Sequence, residues 1–400
     1  MKIALNAWFI DHPTTGSGQY LTHLLDEYCA RYARHTFLLY GPHYGPNGSQ
    51  AALPIPLADC CTWHTLRTPF DRLHRHLAKV WFEQVSFPRA ARCQGADLIH
   101  TPYWASPLHA TIPTAVTIHD LIPLLLPEYS GGALGRLYTR LVAASARRAT
   151  HVLTDSQASR RDIIRHLRIP AGRVDTTLLA PDAHFAPVTD PDEIGRVRRK
   201  YNLPPRYLLY LGGFDVRKNV PGILKAFARL EQTDVKLVLA GKLPAQDTAF
   251  FPSPQRIVDQ LDVDQPGIAG RVCLTGWIDE ADKPALYSAA LAFVFPSFYE
   301  GFGLPPLEAI ACGTPAIVSN ASSLPEVVGE AGLCVEAGDA EALAGAIQRL
   351  IEDSCLREKL RGNCAAQAAQ FSWAQTADLT FAAYERTLDQ SAQFRQDEQD

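Results

Sequence analysis

Short β-branched and leucine-rich runs alternate along the whole chain with longer stretches whose apolar positions recur at helical spacing. A compact apolar run bounded by turn residues reads as a strand buried on both faces. Its regular alternation with helices reads as a parallel sheet covered by helices. In the first half this pattern predicts strands at Lys2–Trp8, Thr36–Tyr40, Asp97–Thr101, Thr114–His119 and His151–Thr154. In the second half it predicts Tyr207–Leu211, Lys236–Ala240, Val272–Thr275, Ala292–Phe295 and Pro315–Ser319. Val174–Asp182 closes the first set, and Phe185–Pro191, rich in Pro, Thr and Asp, reads as a linker. The expected fold class is therefore α/β, with two doubly wound domains at residues 1–187 and 193–375. Several strands stop at a turn that feeds a helix, as at Leu211-Gly-Gly-Phe, Ala240-Gly-Lys and Asp155-Ser-Gln-Ala-Ser. Ligands of open α/β sheets bind at these carboxyl ends, so a cleft between two facing domains is expected.

Length supports two domains, since 400 residues exceed what one hydrophobic core usually serves. The net charge of −4 conceals an asymmetry: residues 1–185 carry a net +5 and the remainder a net −9. Two surfaces with different partners are one consequence, and ordinary surface scatter is the other reading. All 13 histidines lie between His12 and His184, so any histidine chemistry belongs to the first half. Nine cysteines form no Cys-x-x-Cys pair, and the adjacent Cys60 and Cys61 are poorly placed to bridge each other. Reduced thiols in a cytoplasmic protein are expected. Asp11 interrupts the first apolar run too soon for a signal peptide, and no run approaches the roughly 20 residues that span a bilayer. The polar end after Leu388 is expected to fray.

The most informative segment is Phe295-Pro-Ser-Phe-Tyr-Glu300-Gly-Phe-Gly-Leu-Pro-Pro-Leu-Glu308-Ala-Ile-Ala-Cys-Gly313. Pro305 and Pro306 suit the first positions of a helix and Gly313 its end. Glu300 then sits on the turn before that helix and Glu308 in its first turn. Gly301 and Gly303 let backbone approach a ligand, and the amides at Phe302, Gly303 and Leu304 form an anion site. Two carboxylates flanking a phosphate site suit a nucleotide sugar, whose hydroxyls donate hydrogen bonds. The simpler reading, Glu308 complementing the helix dipole, leaves Glu300 and the glycines unexplained. A second site, Leu211-Gly-Gly213-Phe-Asp-Val-Arg217-Lys218-Asn219, sets a basic pair between a strand end and a helix start. Such a pair stabilises a departing diphosphate, with Asn219 as a cap.

Glu300 and Glu308, with seven residues between them, resemble the signature of the family-4 glycosyltransferases of the GT-B fold. Gly276-Trp-Ile-Asp-Glu, the Leu286-Tyr-Ser-Ala-Ala run and Phe371-Ser-Trp373 are also similar to that family, and the likeness covers nearly the whole chain. The resemblance implies two Rossmann-like domains, an acceptor-side one first and a nucleotide-sugar-binding one second, with a last helix near 376–388 crossing back to the first. It implies that Glu300 contacts the donor sugar, Glu308 the ribose, and the Phe302–Leu304 amides the sugar and diphosphate. The backbone at Trp277 and Ile278 would border the base, and Lys218 matches the family's lysine. Many members also carry an arginine where this chain has Gly213, and the Arg217-Lys218-Asn219 variant resembles mannosyl- and rhamnosyltransferase-like members. In the first domain Thr14-Thr-Gly16-Ser-Gly18 resembles the family's glycine loop, and His119 matches a histidine near the donor sugar. Ser156 is a candidate on the acceptor side.

The reaction so implied moves a hexose, mannose or a deoxy relative, from a GDP-sugar to a hydroxyl of a glycan or lipid-linked acceptor. Configuration is retained, and no metal or other cofactor is implied. A UDP-sugar-dependent transferase, a sugar phosphorylase or epimerase, and a non-catalytic glycan-binding subunit are the alternatives. No nucleic-acid partner is expected. Asp71–Arg92 holds Arg72, Arg75, Lys79, Arg89 and Arg92 amid Leu73, Leu77, Val80, Trp81 and Phe82. Peripheral contact with the inner face of the cell membrane is one reading of that stretch, and helices burying Trp81 and Phe82 are the other.

Overall fold

The computed structural model describes residues 1–12, 15–43, 58–231 and 234–397, with side chains described as far as residue 391. It divides into two compact units, Met1–Leu179 with Trp373–Asp400, and Ala180–Ser372. The division falls earlier than the expected linker. Phe185 is buried in the core of the second unit, and the Val188 N–H donates to Ser288 Oγ at 2.9 Å. Phe185–Pro191 is thus held by the second unit's own packing.

The first unit carries β1 (Lys2–Asn6), β2 (Thr36–Pro42), β3 (Cys61–Leu66), β4 (Leu98–Thr101), β5 (Thr114–Thr117), β6 (His151–Thr154) and β7 (Val174–Thr176). They form one sheet in the order β3-β2-β1-β4-β5-β6-β7, every pair parallel. The second unit carries β8 (Tyr207–Leu211), β9 (Lys236–Ala240), β10 (Val272–Gly276), β11 (Ala292–Phe295), β12 (Ala316–Ser319) and β13 (Gly332–Val335). Their order is β10-β9-β8-β11-β12-β13, again parallel throughout. In each sheet the chain builds outward from one central strand and then returns to build the other way. The reversals lie between β1 and β4 and between β8 and β11.

Every residue of β8, β11 and β12 is buried, as strands covered on both faces require. The two strands that apolar runs do not announce, β3 and β13, are edge strands. β3 reads Cys-Thr-Trp-His-Thr-Leu and β13 begins at a glycine; both are largely half-buried. β1 stops at Asn6 rather than Trp8, because Asn6 Oδ1 accepts the Trp8 N–H at 3.1 Å and turns the chain. β5 stops at Thr117, which places His119 on the following turn.

Helices that position functional groups are α1 (Gly16–Arg31), α2 (Arg75–Trp81), α3 (Gly132–Arg148), α4 (Gln157–Asp162), α5 (Val220–Ala228), α6 (Leu304–Ala311) and α7 (Trp373–Asp397). α7 belongs to the first unit and stays helical to Asp397, past the point where fraying is expected. A buried polar chain holds it there. Tyr28 donates to Tyr384 at 2.8 Å, Tyr384 meets His100 Nδ1 at 2.6 Å, and His100 Nε2 meets Thr117 Oγ1 at 2.8 Å. Burial pushes His100 down to about 3, so its ring is neutral: Nδ1 accepts and Nε2–H donates.

α2 and α3 are joined by a buried carboxylate. Glu83 is fully buried, pairs with Lys79, and accepts from Tyr103 at 3.0 Å and Tyr138 at 3.0 Å. Lys79 is therefore turned inward, and Phe82 is fully buried, as the helix-packing reading of that stretch expects. The outer side differs: Leu73 is 79% exposed, Leu77 50% and Trp81 38%, with Leu134 and Leu137 of α3 also exposed. Among the described residues no helix is long and apolar enough to cross a membrane.

Candidate active site

In open α/β sheets the ligand crevice lies outside the carboxyl ends of the strands flanking the point where strand order reverses. In the second unit those strands are β8 and β11, and each ends in one of the two segments singled out by sequence. After β8, Gly212 and Gly213 lead to a single 3-10 turn, Val216–Lys218, and then to α5. Asn219, expected as the cap of α5, sits at the cap position in the left-handed region (φ 55°) without a side-chain cap bond. Its amide donates instead to Pro296 O at 3.2 Å, which ties the β8 turn to the β11 turn. The Phe298 N–H donating to Arg217 O at 2.8 Å makes a second tie.

Glu300 stands where these turns meet. A single carboxylate oxygen, Oε1, lies 2.7 Å from Lys218 Nζ, 2.7 Å from Arg217 Nη1 and 2.6 Å from Ser297 Oγ. Arg217 Nη1 also donates to Tyr299 O at 2.7 Å, and the Lys218 ammonium rests over the Phe295 ring. The neighbours Arg217 and Lys218 thus point to one place, because the tight turn carries both side chains to the same side. Burial by itself would raise the Glu300 carboxyl; the charges of Lys218 and Arg217, with bonds from Lys218 and Ser297, outweigh it and hold the group below the usual range. At Gly213 a Cβ would lie 3.2 Å from Asp215 Oδ2, and the Gly213 carbonyl accepts from Tyr210.

α6 follows Glu300. Gly303 occupies its cap position at φ +115°, a conformation open to glycine, and a Cβ there would come within 2.9 Å of Leu324 Cδ2. The helix begins at Leu304, one residue before the prolines. Pro305 and Pro306 have no N–H, so the end offers few amides, Gly303 and Leu304 foremost. This start corrects the expected position of Glu308: it lies in the second turn, beyond reach of a first-turn dipole role. Glu308 accepts from Tyr287 OH at 2.8 Å, and burial raises its carboxyl against the opposing pull of Lys283 and Tyr287. The two glutamates therefore have opposite electrostatic settings, one held as an anion and the other biased towards its neutral form. Trp277 and Ile278 follow β10: the indole is exposed and the isoleucine is buried in the core.

The remaining predicted residues lie in the first unit. Thr14 of the glycine loop lies outside the described residues. Thr15 caps α1 by accepting from the Gly18 N–H, and a side chain at Gly18 would collide with His12 O at 2.1 Å. Gly16 is exposed and open. His119 Nδ1 lies 2.7 Å from Asp155 Oδ2, and its Nε2 lies 3.2 Å from Pro102 O. Burial opposes the charged ring, yet Asp155 prevails and the histidine is raised above its usual value. Two acceptors on the two nitrogens suit an imidazolium. Ser156, expected on the acceptor side, is fully buried and caps α4 by accepting from the Ser159 N–H at 3.0 Å. Its placement is that of a helix cap.

Sequence reasoning missed the residues that set these states. Ser297 and Tyr287 carry no signal by type; a local turn brings Ser297 to Glu300, and the fold brings Tyr287 to Glu308. Asp155 stands one position before the capping serine, where an acid is unremarkable.

The Glu300 cluster sets a pH dependence. A carboxyl held low in the folded state contributes stability above its unfolded value of about 4.3, lost as pH falls through the lower folded value. Glu300→Gln should therefore cost about 3 kcal/mol at neutral pH, since it strands Lys218 and leaves Asp215 as the carboxylate beside Arg217. That deficit should shrink on acidification to about pH 2, followed by denaturant unfolding. A deficit independent of pH would mean that the carboxylate charge is not what the cations hold.

Two families match this chain end to end: "Glycosyl transferase 4-like domain" over residues 15–178 and "Glycosyl transferases group 1" over residues 193–370. The O-antigen chain mannosyltransferase B of Escherichia coli is 36% identical over 291 residues, covering 72% of this chain and 74% of that protein. Among solved structures, sucrose-phosphate synthase from Thermosynechococcus elongatus superposes with a TM-score of 0.73 at 26% identity, over 96% of this chain and 98% of that one. Anabaena HepE in complex with UDP has the same fold, with a TM-score of 0.71 at 20% identity, over 96% of this chain and 99% of that one. The two parallel α/β units agree with these likenesses, and the chain belongs to the family-4 glycosyltransferases of the GT-B fold.

Proposed function

We propose that this glycosyltransferase moves mannose, or a deoxy relative, from a GDP-sugar to a hydroxyl of a glycan or lipid-linked acceptor, with retention and without a catalytic metal. The observation that carries the reading is the convergence of Arg217 and Lys218 on Glu300 Oε1 at the β8/β11 reversal. Two cations fixed at a strand end supply the charge that a departing diphosphate needs, and no Asp-x-Asp pair at a strand end suggests metal-held phosphates. Glu300, ionised and half-saturated with donors, accepts from sugar hydroxyls; Glu308 serves the ribose. Mannose is favoured by the mannosyltransferase named among the relatives and by the Arg217-Lys218-Asn219 variant.

The step we favour occurs on one face of the sugar. The bond from the anomeric carbon to phosphate breaks with its electron pair going to phosphate, the acceptor oxygen bonds to the same face, and the acceptor proton passes to a phosphate oxygen. By family likeness His119 acts on the donor sugar. Asp155 on Nδ1 orients its ring and favours the charged form.

A thermal-shift comparison of GDP-, UDP-, ADP- and dTDP-sugars tests the donor. A GDP-sugar at about 100 times its dissociation constant should add roughly 2.7 kcal/mol of stability, and transfer should survive EDTA. A clear preference for a UDP-sugar, or loss of transfer on chelation with rescue by Mg²⁺, would overturn this reading.

Variant kinetics test the basic pair. A charge-assisted bond to phosphate contributes about 1.5–3 kcal/mol, so Arg217→Ala should slow transfer by roughly one to two powers of ten. Lys218→Ala should do at least as much harm. Wild-type turnover in Arg217→Ala would confine that residue to bracing Glu300.

A lipid-linked acceptor also calls for contact with a membrane. The exposed Leu73, Leu77 and Trp81 beside Arg72 and Arg75, on a half with net charge +5, support docking of the first unit on an anionic surface. In flotation assays the protein should rise with anionic vesicles more than with neutral ones, and less so after Leu73→Ser with Leu77→Ser. Equal recovery with both vesicle types at low salt would favour a soluble acceptor.

A further inference from the structure

Cysteine spacing along the chain suggests no metal site, yet the fold brings Cys29 to the adjacent pair Cys60 and Cys61. Cys29 lies near the end of α1, and Cys60 and Cys61 lie where the chain enters β3. Cys29 Sγ is 3.6 Å from Cys61 Sγ and 3.7 Å from Cys60 Sγ, and Cys60 Sγ is 3.8 Å from Cys61 Sγ. The three sulfurs form a nearly equilateral triangle. Among the described residues this is the one group of three or more Cys, His, Asp or Glu ligand atoms within 4.8 Å of one another.

Adjacent residues of a regular strand point to opposite faces, so Cys60 and Cys61 need a special backbone to share a ligand. A tight turn provides it. The Cys61 N–H donates back to Ala58 O at 2.9 Å, and Cys60 O accepts from the Phe37 N–H at 2.8 Å. The pair is thus fixed to the sheet before any ion arrives, and the helix supplies the third sulfur.

Tetrahedral zinc with Zn–S bonds of about 2.3 Å sets its sulfurs about 3.8 Å apart, which matches all three edges of the triangle. Thiolates also select zinc over magnesium and calcium, which prefer oxygen. We propose that Cys29, Cys60 and Cys61 form a three-thiolate zinc site that clamps the end of α1 to the edge strand β3. Cys61 is buried while Cys29 and Cys60 are half-exposed, so the fourth position faces solvent and takes water. Burial pushes the Cys29 and Cys61 thiols up, and the Asp26 carboxylate adds to this at Cys29. A dication reverses that balance: three S–Zn bonds replace three S–H bonds, three protons pass to solvent, and no oxidant is involved. The site belongs to the first unit and Glu300 to the second, and the proposal rests on neither Glu300 nor the transfer reaction.

The test uses the full chain, reduced and freed of metal, titrated with Co²⁺ and then with Zn²⁺. One Co²⁺ per chain should produce thiolate-to-metal absorption, one Zn²⁺ should abolish it, and three of the nine thiols should become protected from a thiol reagent. The thermal unfolding midpoint should rise with Zn²⁺. Cys60→Ser, at a half-exposed position, should weaken zinc binding by about 100-fold or more while the metal-free midpoint stays near that of wild type. Cys355→Ser, at an exposed position on another helix, should bind as wild type. Absence of stoichiometric binding would reduce the triangle to packing among small apolar side chains. A Cys29–Cys60 or Cys29–Cys61 disulfide in the intact mass of air-exposed protein, without zinc binding by the reduced form, would replace the proposal with a redox pair. Zinc affinity unchanged in Cys60→Ser would also overturn it.

Discussion

A carboxylate removed from water is costly to keep ionised, and the second unit keeps one at its ligand-binding edge. Burial opposes the charge on Glu300, and two cations and a hydroxyl on one oxygen restore it. Those donors come from the turn after β8 and from the turn after β11. The carboxylate therefore does more than await a substrate: it fixes the relative position of the two turns that frame the crevice. Asn219 and the Phe298 amide reinforce the same joint through backbone carbonyls, which are insensitive to pH. Rigid strands below and a cross-linked pair of turns above give preorganisation, the condition under which electrostatic stabilisation of a leaving group is effective.

The first unit meets the problem of buried polar groups differently. Its deepest polar chain, from Tyr28 through Tyr384 and His100 to Thr117, is neutral throughout, because burial holds the imidazole far below its ordinary value. A neutral relay needs only correct geometry, and here it anchors the returning helix α7 against β4 and β5. His119 is the contrast. It lies beyond the end of β5, and Asp155 converts a position that burial alone would neutralise into one that favours a cation. One histidine is held neutral and the other is biased towards the cation, and Asp155 contributes most to the difference, with Asp120 adding to it.

Much of this was legible in the residues, for reasons that also mark the limit. Central strands such as β8, β11 and β12 are buried on both faces and so appear as unbroken apolar runs. The edge strands β3 and β13 are half-exposed, and β3 mixes Thr62, His64 and Thr65 with apolar residues in a way no pattern separates from a loop. The turn holding Glu300 was readable because glycines and prolines are needed where backbone changes direction. The start of α6 was not readable to the residue, since proline is tolerated at several first-turn positions, and so Glu308 was placed one turn too early. Contacts made by ordinary residues, Ser297 to Glu300 within one turn and Tyr287 to Glu308 from a neighbouring helix, left no trace along the chain. The thiol triangle escaped for the same reason, since its members come together through strand order rather than through spacing.

By family likeness the guanidinium expected at position 213 has its counterpart in this chain at Arg217. At 217 it arrives from the 3-10 turn beside Lys218, and Tyr299 O fixes its orientation. Both cations meet at Glu300 Oε1, and Asp215 Oδ1 lies 3.6 Å from Arg217 Nε, so two carboxylates face two cations. In the proposed reaction a diphosphate would not have to strip water from two bare ions; it would take over part of a bond network already in place. Desolvation of the basic pair would then be borne by folding rather than by each catalytic cycle, and Glu300, partly released from the cations, would become the better acceptor for the sugar's hydroxyls.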